Sequence, residues 1–261
     1  MLNDKHTLRA AAGEAEPASA TLAELAAERV HGAILSGAIP PGSKLHIQRL
    51  SELFGLSATP IREGLARLVA TGLVKALGQR GFRVLPINLD DLADIQRMRH
   101  IVEVEGLRLS IKQGDLTWEQ NIVAALHRLK SLSVLGDANV APGAPRFDEA
   151  HKAFHTALIA ACGSPRLLAA HSDLHDQFYR YRMVLRLAPR SKAATDRDHV
   201  TLAKVVLARD FEAAARALHE HIERPAQALR LLPGGTLTAA FAQLSAPSPR
   251  RAARGRRTAG L

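Results

Sequence analysis

His151 and His155, in the segment HKAFH, lie four residues apart and are the pair in this chain best spaced to hold a metal ion. That separation brings both imidazoles to one face of a helix, as a chelating pair requires. Two later histidines can complete a set: His199, which ends DRDH, and His221 in HEHIER. His219 stands two positions before His221, so at most one of them faces the same site. Neutral imidazoles suit zinc, nickel, copper or iron(II), and the cofactor expected is a divalent metal ion, zinc first and nickel next. Helical histidine pairs also occur without a metal, and His171 with His175 repeats the spacing with no downstream partner to choose. Spacing alone leaves both readings open. A zinc hydrolase is the sharpest rival, but it needs a glutamate after the first histidine as general base, and that position is Lys152. Asp148 and Glu149 precede the pair and suit outer-shell acceptors. There is no Gly-rich phosphate loop and no nucleophile elbow. An enzyme is not expected.

Arg99 is the second residue with chemistry to offer. Leu92, Ile95, Met98, Val102 and Gly106 mark the inward face of a helix, and Arg99 falls within that stripe. An arginine turned into a core must meet an anion or cost several kcal/mol. Glu103, one turn on, is one partner; a carboxylate ligand held by the guanidinium fork is the other. Arg180 and Arg182, in FYRYR, either line the same cavity or lie on a helix surface.

These residues need a scaffold, and the chain supplies one in two parts. Residues 1–20 lack apolar periodicity and read as a disordered lead-in. Residues 21–36 form an amphipathic helix with Leu22, Leu25, Ala26, Val30, Ala33 and Ile34 inward. Pro40-Pro41-Gly42 then breaks the chain. Two short helices follow: the first turns Ile47, Leu50 and Leu53 inward, and Gly55 permits the sharp turn after it. The second starts at Ser57 or Thr59 as N-cap, tolerates Pro60 in its first turn, and buries Ile61, Leu65, Leu68 and Val69. Its other face shows Ala58, Thr59, Arg62, Glu63 and Ala66, with Arg67 at the edge. Strands at Val74–Leu77 and Phe82–Leu85 then flank Gly78-Gln79-Arg80-Gly81, a glycine-bounded turn that presents an arginine. A helical pair alone has many uses; with this basic hairpin attached it is a winged helix-turn-helix for the DNA major groove. Thr59, Arg62, Arg67, Arg80 and Gly81 are the expected DNA contacts.

From Asn88 to residue 232 only helices are expected, about six of them packed as an antiparallel bundle. They run over 88–112, 117–135, 147–162, 165–187, 194–208 and 211–232, with Thr117 and Gln120 capping the second and a Pro/Gly loop at Gly136–Arg146. The fold class is therefore mainly α: a winged helix-turn-helix domain over 21–87, then an all-helical effector and dimerisation domain over 88–232. Residues 233–261 form a basic disordered tail that adds salt-sensitive affinity at most. Charge agrees with this division. Of the net +10, residues 21–87 carry 8 basic and 4 acidic side chains, residues 88–232 carry 20 and 18, and the tail carries 5 and 0. A single cysteine, Cys162, excludes an internal disulfide framework. Without a signal peptide or a membrane-length apolar run, a cytoplasmic protein with no membrane partner is expected.

The segments ILSGAIPPGSKL, LSELFGLSATPIREGLARLVATGLV and QRGFRV resemble the GntR-type bacterial transcription regulators. DIQRMRHIVEVEG, HKAFHTALIAACGSPRL and DHVTLAKVVLARDFEAAARALHEHI resemble the all-helical FCD effector domain of their FadR subfamily. The resemblance covers roughly residues 21–232. It implies a homodimer on a pseudo-palindromic operator, controlled by a small carboxylic acid. It also implies a metal site whose positions fall here on His151, His155, His199 and His221. Two departures stand out: the family's first metal ligand is an aspartate where this chain has His151, and many members carry arginine where this chain has Ala58. Within the subfamily the chain is most similar to the carbon-starvation-induced, glutarate-responsive repressor type, which implies a short dicarboxylate as effector. A metal-responsive regulator without an organic effector is the alternative.

Overall fold

The structure is a computed structural model that describes residues 21–134, 145–185 and 192–230. The lead-in over 1–20, most of the loop at 136–146 and the tail at 233–261 lie outside the described residues.

The first helix, α1 (Leu22–Leu35), opens on a capping box in which Thr21 and Glu24 satisfy each other's backbone donors. It turns Ala23, Ala26, Val30 and Ile34 inward, while Leu22 is 60% exposed, against expectation. The small residues are what α3 (Ala58–Ala70) requires. A Cβ on Gly64 would lie 2.7 Å from the Ala27 backbone nitrogen and 3.0 Å from Ala23 O and Ala26 Cβ. Gly64→Ala gains up to about 1 kcal/mol of helix propensity, but a rigid backbone cannot yield to the new methyl. Overpacking of roughly 1–3 kcal/mol should win, so a lowered midpoint in urea is expected.

Between these helices lie β1 (Lys44–Leu45) and α2 (Ile47–Phe54). Gly55 adopts φ 64°, ψ 33°, the left-handed conformation that the turn into α3 demands. Ser57 occupies the N-cap position of α3. Leu50 is buried but Leu53 is 64% exposed; Phe54 turns toward the core in its place. The wing pairs β2 (Val74–Ala76) with β3 (Phe82–Val84), in the register Val74↔Val84 and Ala76↔Phe82. β1 joins the far side of β3, giving the order β1-β3-β2. That two-residue strand was not foreseen. At the wing tip Gly81 holds φ 89°, ψ −141°, a backbone state open essentially to glycine alone.

Six helices complete the described residues: α4 (Leu89–Gln113), α5 (Leu116–Val134), α6 (Pro145–Ile159), α7 (Pro165–Leu185), α8 (Lys192–Leu207) and α9 (Phe211–Arg230). Asp115, rather than Thr117 and Gln120, caps α5, its carboxylate accepting from the Trp118 N–H at 2.8 Å. Leu107, Trp118, Ile122, Phe154, Leu158 and Leu218 are buried at the centre of this bundle. On α4 Met98 is 42% exposed and Val102 half-buried, against expectation, while Arg99 is buried as expected, with Glu103 and, in addition, Gln96. Their partners lie inside, as Gln96 Nε2 donating to Ile222 O at 2.7 Å illustrates.

The two parts meet along α7. Gln177 Nε2 donates to Thr71 O at 2.8 Å, and Arg180 donates to Leu85 O at 2.9 Å and to Asp91 at 3.3 Å. Tyr181 hydroxyl donates to Asp91 and accepts from the Asn88 N–H at 3.2 Å, and His31 of α1 lies 3.2 Å from Asp176. Arg180 therefore belongs to the domain joint and not to an effector cavity. The side chain of Arg182 lies outside the described residues.

Candidate functional site

His151 and His155 project from one face of α6, His199 from α8 and His221 from α9. One ring nitrogen from each comes to within 4.8 Å of all the others. Small side-chain rotations would bring four such donors onto one ion at Zn–N distances of roughly 2.0–2.1 Å. His151, His155 and His199 are buried and His221 is half-buried. His219 turns away and meets the His100 ring instead, with centroids 4.9 Å apart.

The electrostatics suit a cation. Burial pushes the pKa of His155 down to about 4, so its imidazole is neutral at neutral pH and available as a ligand. Burial also holds His221 well below the ordinary histidine value, with His199, His155 and Arg99 adding to the effect. Among the described residues, His155 Nε2 has no hydrogen-bond partner although the residue is 1% exposed. A buried donor or acceptor left unmade costs about 1–3 kcal/mol, and a metal bond would remove that cost. The four residues fit a divalent ion.

Behind this cluster lies Glu103 of α4, 2% exposed. Arg99 Nε donates to its Oε1 at 2.7 Å. His155 Nδ1 stands 3.6 Å from its Oε2, and His171 Nδ1 stands 3.7 Å from its Oε1, both longer than full hydrogen bonds. Burial alone would raise the Glu103 pKa, but Arg99 first and the two histidines next outweigh it and hold the carboxyl well below its usual range. Arg99 thus has the intrachain partner that the sequence offered. One guanidinium nitrogen, Nη2, is nevertheless buried with no hydrogen-bond partner among the described residues. Phe178 lies across the guanidinium, 4.9 Å from ring centroid to Cζ.

His171 and His175 were not assigned to the site from sequence, yet both are buried against it. His175 Nε2 lies 3.3 Å from His151 Nδ1, and His171 Nε2 lies 3.3 Å from Thr156 Oγ1. Their i, i+4 spacing on α7 was the signal available.

In the N-terminal domain Thr59 and Arg62 are exposed in the first half of α3, and Arg80 is exposed at the wing tip beside Gly81. Arg67 is exposed too, but its guanidinium pairs with Glu24 at 3.2 Å.

Comparison with known proteins places this architecture. Residues 22–84 match the family of bacterial regulatory proteins named for GntR, and residues 94–224 match the FCD domain. The chain belongs to the GntR family. BphR of Paraburkholderia xenovorans, named an uncharacterized HTH-type transcriptional regulator, is 34% identical over 210 residues, covering 80% of this chain and 86% of that protein. GlaR of Escherichia coli, named an HTH-type transcriptional repressor, is 35% identical over 196 residues, covering 74% of this chain and 88% of that one. The structure of E. coli McbR/YncC shares the fold, with a TM-score of 0.66 at 21% identity over 79% of this chain and 95% of that one. This GntR-family chain is therefore a DNA-binding transcriptional regulator of the FadR type, a helix-turn-helix followed by an FCD domain. Among its described residues no helix is long and apolar enough to cross a membrane.

Proposed function

We propose that the protein is a sequence-specific repressor whose operator affinity is set by a small carboxylic acid bound at the histidine centre. The observation that carries this reading is Arg99 Nη2, a buried cationic donor with no hydrogen-bond partner among the described residues, on an arginine whose charge is felt by His155 and His221. His151, His155, His199 and His221 would hold a divalent metal, zinc first and nickel next. Such an ion, when bound, would act as a Lewis acid toward a ligand carboxylate. Arg99 would take the acid through Nη2 while Glu103 holds the guanidinium at Nε. Lys152, where a metalloprotease would have its glutamate, fits recognition and not hydrolysis. A short dicarboxylate, glutarate or 2-hydroxyglutarate, is the effector to try first.

A homodimer in the cytoplasm would set two copies of α3 in successive major grooves of an operator duplex. Thr59 and Arg62 would meet bases or phosphates, Arg80 and Gly81 the adjacent backbone, and Arg67 would contribute once released from Glu24. The route between the sites would be α7, which faces the centre through His171 and His175 and holds the DNA-binding domain through Asp176, Gln177 and Arg180. Similarity to GlaR, a transcriptional repressor, favours repression over activation.

Specificity is tested by gel shift on the protein's own upstream region. The shift should survive excess unrelated DNA, and Arg62→Ala should weaken it by roughly 1–3 kcal/mol if a base contact is lost. Equal binding to scrambled duplex would contradict a specific regulator. The effector is tested by thermal shift against three- to six-carbon acids, where a hundredfold excess over Kd should add about 2.7 kcal/mol. Arg99→Lys, which keeps the charge but loses the fork, should remove most of that gain. Shifts with sugars or amines and none with acids would overturn the carboxylate reading.

A further inference from the structure

The resemblance implies a carboxylate at the first metal position, whereas this chain has His151 there, and the two groups differ in one physical respect. An ionised carboxylate offers lone pairs on two equivalent oxygens. A neutral imidazole offers a lone pair on only one nitrogen, and which one depends on the hydrogen bond made by the other. His151 is 5% exposed, so water cannot easily supply that bond. Its Nδ1 lies 3.3 Å from Nε2 of His175, a residue itself 1% exposed, with ring centroids 5.5 Å apart. His175 is not among the four histidines whose donor atoms converge within 4.8 Å, and so stands behind His151.

We infer that His175 is the positioning residue of this centre: its Nε2 accepts the Nδ1–H of His151 and leaves His151 Nε2 bare and turned toward the other three imidazoles. Histidine in water prefers the opposite tautomer, with the proton on Nε2, which would block the metal-facing nitrogen. The His171/His175 pair thus acquires a role that its spacing alone did not reveal. Substituting a metal ligand's outer partner typically costs 10–100-fold in affinity. The inference rests on the metal reading proposed above, but the tautomer can be read without any metal.

The test uses the full chain, metal-free, with nitrogen-15 histidine labelling. His151 in the wild type should carry its proton on Nδ1. His175→Leu should return His151 to the Nε2–H form and weaken zinc binding by about 10–100-fold in competition with a chromophoric chelator. His175→Gln, whose amide oxygen also accepts, should hold the tautomer and most of the affinity. An Nε2–H tautomer of His151 in the wild type would overturn the inference, and that measurement needs no variant to fold. Unchanged zinc affinity in a folded His175→Leu would overturn it too. Loss of a nitrogen ligand from the cobalt(II) spectrum of that variant would make His175 a ligand and so contradict the positioning role. A wild type that binds no zinc but shows the Nδ1–H tautomer would sink the metal reading while leaving the His151–His175 pair intact.

Discussion

Glu103→Ala should destabilise the protein by about 3–5 kcal/mol, because it strands the Arg99 guanidinium at 2% exposure with the Glu103 carboxylate gone. That is a large share of the roughly 5–15 kcal/mol that holds a typical domain together. Replacing both residues by apolar ones, Arg99→Met with Glu103→Leu, should recover most of the loss, since neither charge of the pair is then left buried without the other. The pH dependence has a definite sign. Glu103 is held well below its ordinary value of 4.5 in the folded state, so its contribution is full above that value and fades as pH falls through the folded value. Glu103→Gln should abolish that fading, and the stability difference between wild type and variant should narrow as the pH drops below about 4.5. Urea midpoints measured across pH decide it. A Glu103→Ala variant within 1 kcal/mol of wild type would mean that the pair is not closed as the structure draws it.

His155→Ala/His199→Ala should abolish stoichiometric metal binding. Two of four imidazole donors would go, and the pair that stays, His151 and His221, comes from different helices. Protein purified without a histidine tag and passed through a weak chelator should retain about one divalent ion per chain in the wild type and essentially none in the double variant. Binding should also need no proton release from His155, whose imidazole is already neutral above about pH 4. Full metal content in the double variant would remove the ion from this site. Because the four histidines are packed among Phe147 and Phe154, the metal-free wild type should still fold, so stability and metal content can be read separately.

What the sequence made legible follows from how local each signal is. The turn at Gly55, the glycine-bounded wing and the α3 stripe of Ile61, Leu65 and Leu68 are each written within a few residues, and all appear where expected. The His151/His155 pair was readable because a helix fixes its own i, i+4 geometry. Adding His199 and His221 needed the fold of two further helices, which the family resemblance supplied; the structure brings donor atoms of all four histidines within 4.8 Å of one another. On α4 the inward places of Leu92, Ile95, Arg99 and Gly106 follow from helical spacing, but Gln96 looks like surface to a hydropathy argument and is buried, while Met98 and Val102 look like core and are exposed and half-buried. Leu22 and Leu53 failed for the complementary reason, since an apolar residue in a first turn or a short helix need not face the core. The β1 strand has two residues and no period to detect. The roles of His171, His175 and Arg180 depend on contacts at least fifteen positions away in sequence, which no local pattern encodes.

In the regulation proposed here, an acid bound beside Arg99 and the histidine centre controls the grip on DNA. Fluorescence anisotropy of a labelled operator duplex, titrated with metal-loaded protein at fixed salt, measures it directly. A saturating short dicarboxylate should shift the operator Kd by roughly 5–150-fold, and operator should shift the affinity for the acid by the same factor. In Arg99→Lys the operator Kd should match wild type without acid and stay unmoved with it. An operator Kd that no carboxylate changes, in protein shown to hold its metal and to bind the acid, would contradict the claim.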